Sequence, residues 1–396
     1  MALDQNSSTN IDQKPIVIVG TGLGGYSLAR EFRKLDKDSR VLVITADDGH
    51  SYSKPMLSNG FAKGKSADDL SMADPGKMVE QLNIEVRTFT TVTGIDPEGK
   101  CLWIGEESLA YEKLVLAWGA DVIHLDLKGN AASRVRSVND LMDYRNIRKE
   151  LEGKSKVAIL GAGLIGCEFA NDLIQGGYQV EVIAPSEGVL PTLLPDAAAD
   201  AVRKGLELEG ISFRLGRYAT EVNASGDGDA IELVLDNGDR VEADMVLSAV
   251  GLRPRIALAE QAGLSCDKGI ITNRALETSA PDIYALGDCA EVDGYVLLYV
   301  LPLMACARAL AKTLSGERTE VAYGVMPVIV KTPACPVAVC PPPVGIEGEW
   351  LVEQEGDLDV KALFRNSKGD LLGFAVTGSK VPEKQALAKE LAPVHH

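Results

Sequence analysis

Two glycine-patterned loops, Gly20-Thr-Gly22-Leu-Gly-Gly25 and Gly161-Ala-Gly163-Leu-Ile-Gly166, stand in one chain, each between an apolar run and a helical pattern. Pro15-Ile-Val-Ile-Val19 leads into the first; Leu28, Ala29, Phe32 and Leu35 follow at helical spacing, and Val41-Leu-Val-Ile44 reads as the next strand. The second copy repeats the scheme with Val157 to Leu160, then Phe169 and Leu173, a Gly176-Gly177 stop and Val180 to Ile183. A strand, a glycine turn, a helix and a second strand form the context in which such a loop carries meaning. The first glycine makes the turn, the second lets backbone approach a pyrophosphate, and the third lets helix pack on strand. The helix N-terminus then offers unpaired N–H groups and a partial positive charge to the phosphates. The chain is therefore expected to be α/β, with two Rossmann-like dinucleotide-binding domains, and a protein holding two redox dinucleotides can move a hydride between them.

A chain of 396 residues exceeds what one core usually organises, so two or three domains are expected. Leu114-Val-Leu-Ala-Trp-Gly119 and Val246-Leu-Ser-Ala-Val-Gly251 echo each other and read as crossings between domains. The first domain is then discontinuous, residues 14–122 and 252–325, with the second inserted at 123–251. From Met326 the pattern changes: proline-rich strands over Pro327 to Pro343, an alternating strand near Asp357 to Phe364, and an amphipathic helix from about Pro382. Residues 326–396 thus form a small α+β C-terminal domain.

The formal charge of −17 argues against a nucleic-acid partner, which requires a basic footprint. No run approaches the ~20 apolar residues of a membrane span. The first fourteen residues are polar, unlike a signal segment, so a cytoplasmic protein with a disordered tail is expected. Only four histidines occur, two of them terminal, and no metal site is expected. The seven cysteines are scattered, odd in number and lack a Cys-x-x-Cys pair, which suits a reducing compartment.

The acid expected at the end of the second strand of each unit, where it would bind ribose hydroxyls, is absent; Thr45 and Ala184 stand there. Asp47 and Glu187, a few residues on, either reach round to that task or are solvated loop acids. No arginine or lysine lies within Ala184 to Gly188 to receive a 2′-phosphate, which favours NADH over NADPH. Asp288 ends the apolar run Ile283 to Leu286, where its carboxylate can accept from a polyol, just before a helix expected over Leu301 to Leu314 with Pro302 near its start. Lys54, in the loop after the second strand, is either a long cation reaching a cofactor or a surface lysine.

Gly20 to Gly25, Leu114 to Gly119, Gly161 to Glu168, Val250-Gly-Leu-Arg-Pro254 and Ala285 to Asp288 together resemble the FAD-dependent pyridine-nucleotide-disulfide oxidoreductase superfamily. Ile44 to Gly49, Tyr52-Ser-Lys-Pro-Met-Leu-Ser58, Gly163 to Asp172 and Tyr284 to Ala290 are similar, more narrowly, to bacterial NADH:rubredoxin reductases. The resemblance implies that Gly20, Thr21, Gly22 and Gly25 hold the FAD pyrophosphate, that Val92 offers backbone to adenine, and that Asp288 binds the ribityl chain. It further implies that the amide near Val300 and the side chain of Lys331 face the flavin ring. Gly161, Gly163, Gly166 and Gly251 would bind NADH, with Glu168 near the nicotinamide. Where neighbouring ferredoxin reductases carry an arginine and a final lysine in the 52–59 segment, this chain has Lys54 and Asn59, so no lysine role transfers to position 59.

Disulfide reductases of this superfamily keep a cysteine pair beside the flavin, yet residues 45–75 contain no cysteine, which also sets aside single-cysteine peroxidase or oxidase chemistry. Cys335-Pro-Val-Ala-Val-Cys340 has the spacer of a redox pair, but it reads as an apolar strand, on which five residues span about 17 Å, against the roughly 7 Å a disulfide tolerates. Electrons must then leave directly for an outside acceptor. The resemblance names rubredoxin, one iron on four cysteines, reduced after hydride passes from NADH to FAD without an acid–base residue. Ferredoxin or flavorubredoxin as acceptor, and a redox-sensing NADH/FAD module without turnover, are the alternatives. Rubredoxins are usually acidic, as is this chain, so docking requires a local basic or apolar patch, with Lys331 and Lys384 as candidates. The short C-terminal domain suggests a monomer.

Overall fold

The computed structural model describes residues 14–226 and 230–394; the expected N-terminal tail, apart from Lys14, lies outside them. The chain parts into two compact units.

The first unit comprises residues 14–52, 71–121 and 254–322. Its five-stranded parallel sheet runs Ile283–Ala285, Lys113–Leu116, Ile16–Val19, Val41–Ile44, Glu85–Arg87. Val17, Leu42, Leu114 and Val115 are wholly buried, as expected of strands covered on both faces, and each such side chain contributes about 1.5–3 kcal/mol. The helix Leu23–Leu35 buries Tyr26, Leu28, Ala29 and Phe32 and packs against the helix Val300–Leu314. Leu35, read as part of that apolar stripe, is instead 53% exposed at the helix end. The second helix starts one residue early and Pro302 stands third in it, still within the first turn, whose N–H groups have no intrahelical partner.

The second unit comprises residues 53–70, 122–253 and 323–394. Its parallel sheet runs Val135–Arg136, Met245–Ser248, Lys156–Leu160, Gln179–Ala184, Ser212–Leu215. An antiparallel meander, Ala219–Ser225, Ala230–Leu235 and Arg240–Ala243, packs Val222, Ile231 and Leu233 against Ala158, Leu160 and Val246 of that sheet. The C-terminal segment adds a five-stranded antiparallel sheet in the order Val328–Val330, Val337–Cys340, Leu371–Thr377, Asp359–Arg365, Glu349–Glu355. Val360, Ala362 and Phe364 alternate inward, and the helix Lys384–Glu390 sets Leu387 against Phe374 and Val376. Pro382 lies in the 3₁₀ turn before that helix.

The runs Leu114 to Gly119 and Val246 to Gly251 hold interior strands that end at Leu116 and Ser248. The chain changes unit a few residues later, at 121–122 and 253–254. Residues 53–70 and 323–394 share a unit with 122–253, a grouping that hydrophobic periodicity did not indicate. Cys335 also departs from expectation: the strand begins at Val337, and Cys335 sits in the turn before it, against Gly205 of the helix Asp196–Leu208.

Candidate functional site

Gly20 follows Ile16–Val19 with φ +116°, and its N–H donates to Ile44 O at 2.7 Å. A Cβ there would lie 2.3 Å from Ala117 O, and one on Gly25 would lie 1.9 Å from Gly20 O, so both approaches require glycine. Gly22, between them, faces open space and caps the helix without any side-chain hydrogen bond. The result is an open cradle lined by helix-end N–H groups, the arrangement that holds a pyrophosphate.

The sheet edge beside this cradle is stitched together by one carboxylate. Asp47 Oδ1 accepts from Thr21 Oγ1 at 3.0 Å, Thr45 Oγ1 at 2.6 Å and Gly49 N at 2.9 Å. Asp47 is therefore tied to the glycine loop, although two residues past the usual place for the acid. Val92 is buried. Asp288 lies in the 3₁₀ turn after Ile283–Ala285, where Gly287 takes φ +77° beside Leu303. Val300 opens its helix at 38% exposure, with no side-chain cap from Tyr299.

The second unit repeats the cradle. Gly161 has φ +109° and donates to Ile183 O at 2.8 Å; a Cβ there would meet Ala249 O at 2.6 Å, and one on Gly166 would meet Gly161 O at 2.0 Å. Gly163 faces open space, and the helix Leu164–Gln175 starts on it without a side-chain cap. Gly251 is exposed with φ +121°. Glu187 is exposed, and its carboxylate lies close to Gly216. Proximity in sequence missed one cation: Arg217 N donates to Ala184 O at 3.0 Å, which brings that arginine's backbone to the strand end where no basic residue was expected.

Glu168 heads a polar network inside the second unit. Its side chain is 2% exposed; Ser58 Oγ donates to Oε2 at 2.7 Å and Lys331 N donates to Oε1 at 2.9 Å. Lys331 Nζ donates to Glu168 Oε2 at 2.5 Å, Ser58 Oγ at 2.7 Å and Pro55 O at 2.5 Å, which occupies all three ammonium protons. One turn on, Asn171 Oδ1 accepts from Ala334 N at 3.2 Å, and Asp172 takes Phe61 N and Ala62 N, each at 2.9 Å. Burial raises the Asp172 pKa, against the lowering effect of those N–H donors. Glu168, Asn171 and Asp172 thus clamp two distant segments onto one helix face. Ser58, Asn171 and Asp172 were missed from sequence; the legible signal was three polar residues at i, i+3 and i+4 on an otherwise apolar helix. Lys54 belongs to the same unit, and its ammonium donates to Asn139 Oδ1 at 2.8 Å.

All seven cysteines are free thiols. Burial pushes Cys167 and Cys289 up to about 12 and Cys335 and Cys340 up to about 11, so none of these four supplies thiolate at neutral pH. Among the described residues no group of three or more His, Cys, Asp or Glu could hold a metal, and no helix is long and apolar enough to cross a membrane.

Residues 14–315 match the family described as pyridine nucleotide-disulphide oxidoreductase. The chain belongs to that family. Residues 320–391 match a second description, the rubredoxin binding C-terminal domain. Over 380 residues the chain is 57% identical to a rubredoxin-NAD(+) reductase of Alcanivorax borkumensis, covering 96% of this chain and 99% of that relative. It is 45% identical to a protein of the same name from Acinetobacter baylyi, with 96% and 98% covered. A ferredoxin reductase from Rhodopseudomonas palustris superposes with a TM-score of 0.85 at 25% identity, over 96% of each chain. Membership in the oxidoreductase family implies FAD and NADH, and the two cradles fit them: each has an open middle glycine and flanking glycines that no larger residue could replace.

Proposed function

We infer that this chain is an NADH-dependent flavoprotein reductase that delivers electrons to rubredoxin. The observation that carries the reading is the pair of open glycine cradles, each at the carboxyl end of its own parallel sheet, in a chain whose residues 320–391 match a rubredoxin-binding domain. Bound FAD supplies the exchange of a two-electron hydride from NADH for single electrons to an iron carrier. The protein's part is binding, orientation and electrostatics. Gly20, Thr21, Gly22 and Gly25, with Asp47, Val92, Asp288 and Val300, are assigned to FAD, and Gly161, Gly163, Gly166, Glu187 and Gly251 to NADH. Lys54, Glu168 and Lys331 tune the redox chemistry as fixed charges. Because all three ammonium protons of Lys331 are engaged, its positive charge rather than a spare N–H is what it offers.

The functional division is threefold: an FAD domain at 14–122 and 252–325, an NADH domain at 123–251 and a carrier-facing domain at 326–396. The molecule works as a monomer in the cytoplasm, with no nucleic-acid or membrane partner. Steady-state turnover with NADH and purified rubredoxin, ferredoxin and flavorubredoxin tests the acceptor: rubredoxin is expected to give the highest kcat/KM, and equal or greater turnover with another carrier would overturn the assignment. Sedimentation at working concentration checks the monomer.

A further inference from the structure

We propose that the Phe89 ring is the wall against which the adenine of FAD stacks. The inference rests on the FAD reading above and adds a side chain that the glycine-loop pattern does not mark. Phe89 has φ +49°, a left-handed conformation that bulky residues rarely take, and it is nevertheless 67% exposed. Exposure leaves the protein's own core without a reason for a phenylalanine there, and the backbone conformation opposes it. Such strain persists only where the surroundings fix it, and it gathers where a ligand is held.

The surroundings do fix it. Phe89 N donates to Asp47 O at 2.9 Å, Thr90 N to Thr45 O at 2.8 Å, and Thr45 N to Arg87 O at 2.9 Å, so the 87–90 segment is laced to the turn that carries Asp47. A Cβ on Gly49 would lie 2.6 Å from Thr88 Cγ2, which shows how closely the two turns abut. Phe89 stands two residues past the strand Glu85–Arg87, at the carboxyl edge of the sheet. Dinucleotides lie across that edge, and the switch point here is Ile16–Val19, between Val41–Ile44 and Lys113–Leu116. The ribose that an acid near the second strand would hold belongs to the adenosine half, which therefore crosses Val41–Ile44 toward Glu85–Arg87. Asp288 and the start of the Val300–Leu314 helix stand at the other end of the sheet, for the flavin half. Phe89 is at the adenine end, and adenine offers an uncharged π face that an aromatic ring binds by stacking.

The test uses full-length protein stripped of flavin and titrated with FAD, with circular dichroism of the apoprotein to verify folding. Phe89→Gly, which removes both ring and strain, and Phe89→Leu, which keeps apolar bulk without the flat face, are each expected to weaken FAD binding by roughly ten- to a hundredfold. Phe89→Trp is expected to bind within about twofold of the parent, and the introduced indole's emission to be quenched on FAD addition. FAD affinity unchanged in Phe89→Gly, or indole emission indifferent to FAD, would overturn the proposal. Failure of the parent protein itself to bind FAD would instead overturn the flavoprotein reading.

Discussion

At the residue scale, the Glu168–Lys331 pair is the sharpest test of the polar network. Glu168 is almost fully buried and Lys331 retains 26% side-chain exposure, so removing the cation strands a carboxylate away from water. Lys331→Met is expected to lower unfolding free energy by about 3–5 kcal/mol, whereas Glu168→Gln combined with Lys331→Met is expected to cost much less. Urea denaturation of the two single variants and the double variant measures this; additive losses would mean the pair is not coupled. Glu187 offers a second test. Its exposed carboxylate would repel a 2′-phosphate, and the backbone of Arg217 lies close to the same strand end. Glu187→Arg is expected to raise the ratio of kcat/KM for NADPH over NADH by roughly ten- to a hundredfold. A ratio that does not move would remove Glu187 from the coenzyme pocket.

At the scale of elements, the two glycine cradles are separable. Gly25→Ala would force a Cβ to 1.9 Å from Gly20 O, and Gly166→Ala to 2.0 Å from Gly161 O. The first is expected to yield protein without yellow colour. The second is expected to remain yellow but to show little flavin reduction by NADH, and absorbance before and after NADH addition distinguishes the two. The helix Leu164–Gln175 carries a different consequence through Asp172. Burial raises its folded pKa above the ordinary 3.8, so the native chain holds that proton more tightly than the unfolded chain. Its contribution to stability is complete below that ordinary value and is lost as pH rises through the folded pKa. Asp172→Asn, which cannot titrate, is expected to show a stability deficit relative to the parent that shrinks as pH rises above the ordinary carboxylate value. Denaturation midpoints across that range would contradict this if the deficit stayed constant.

The same helix shows why some of the site was legible and some was not. Gly20 to Gly25 and Gly161 to Gly166 were readable because a tight turn and a close helix approach are demands of local backbone, met by neighbours in sequence. Asp47 was readable as a candidate for the same reason, and the structure ties it to Thr21 and Thr45. Ser58 and Asp172 were not, because their partners lie 110 or more residues away. Arg217 was missed because strand pairing, which sequence spacing does not encode, carries it to Ala184. The strand at Cys335 was drawn too long because an apolar, proline-flanked run does not reveal where pairing begins.

For the whole molecule, the expected α/β architecture with two dinucleotide cradles and an antiparallel C-terminal sheet is present, and the question is where electrons exit. Four of the seven free cysteines, Cys167, Cys289, Cys335 and Cys340, are held as thiols by burial, which pushes them up to about 11 or 12, and so offer no thiolate for an internal relay. The net charge of −17 sets a condition on the exit. Encounter with an acidic carrier is slowed by like-charge repulsion, which salt screens over about 8–10 Å. Rubredoxin reduction at subsaturating carrier is therefore expected to speed up as ionic strength rises from low values, and a steep fall with salt would indicate a basic docking patch instead.

The central claim is that hydride enters through FAD and electrons leave to rubredoxin with no protein sulfur between. The measurement is anaerobic stopped-flow of the holoprotein in which every cysteine has been replaced by serine or alanine, followed first on NADH addition and then on addition of oxidised rubredoxin. The account predicts bleaching of the flavin absorbance by NADH and its recovery as rubredoxin is reduced, at rates close to those of the parent. Bleaching without recovery in the cysteine-free protein, where the parent recovers, would contradict it.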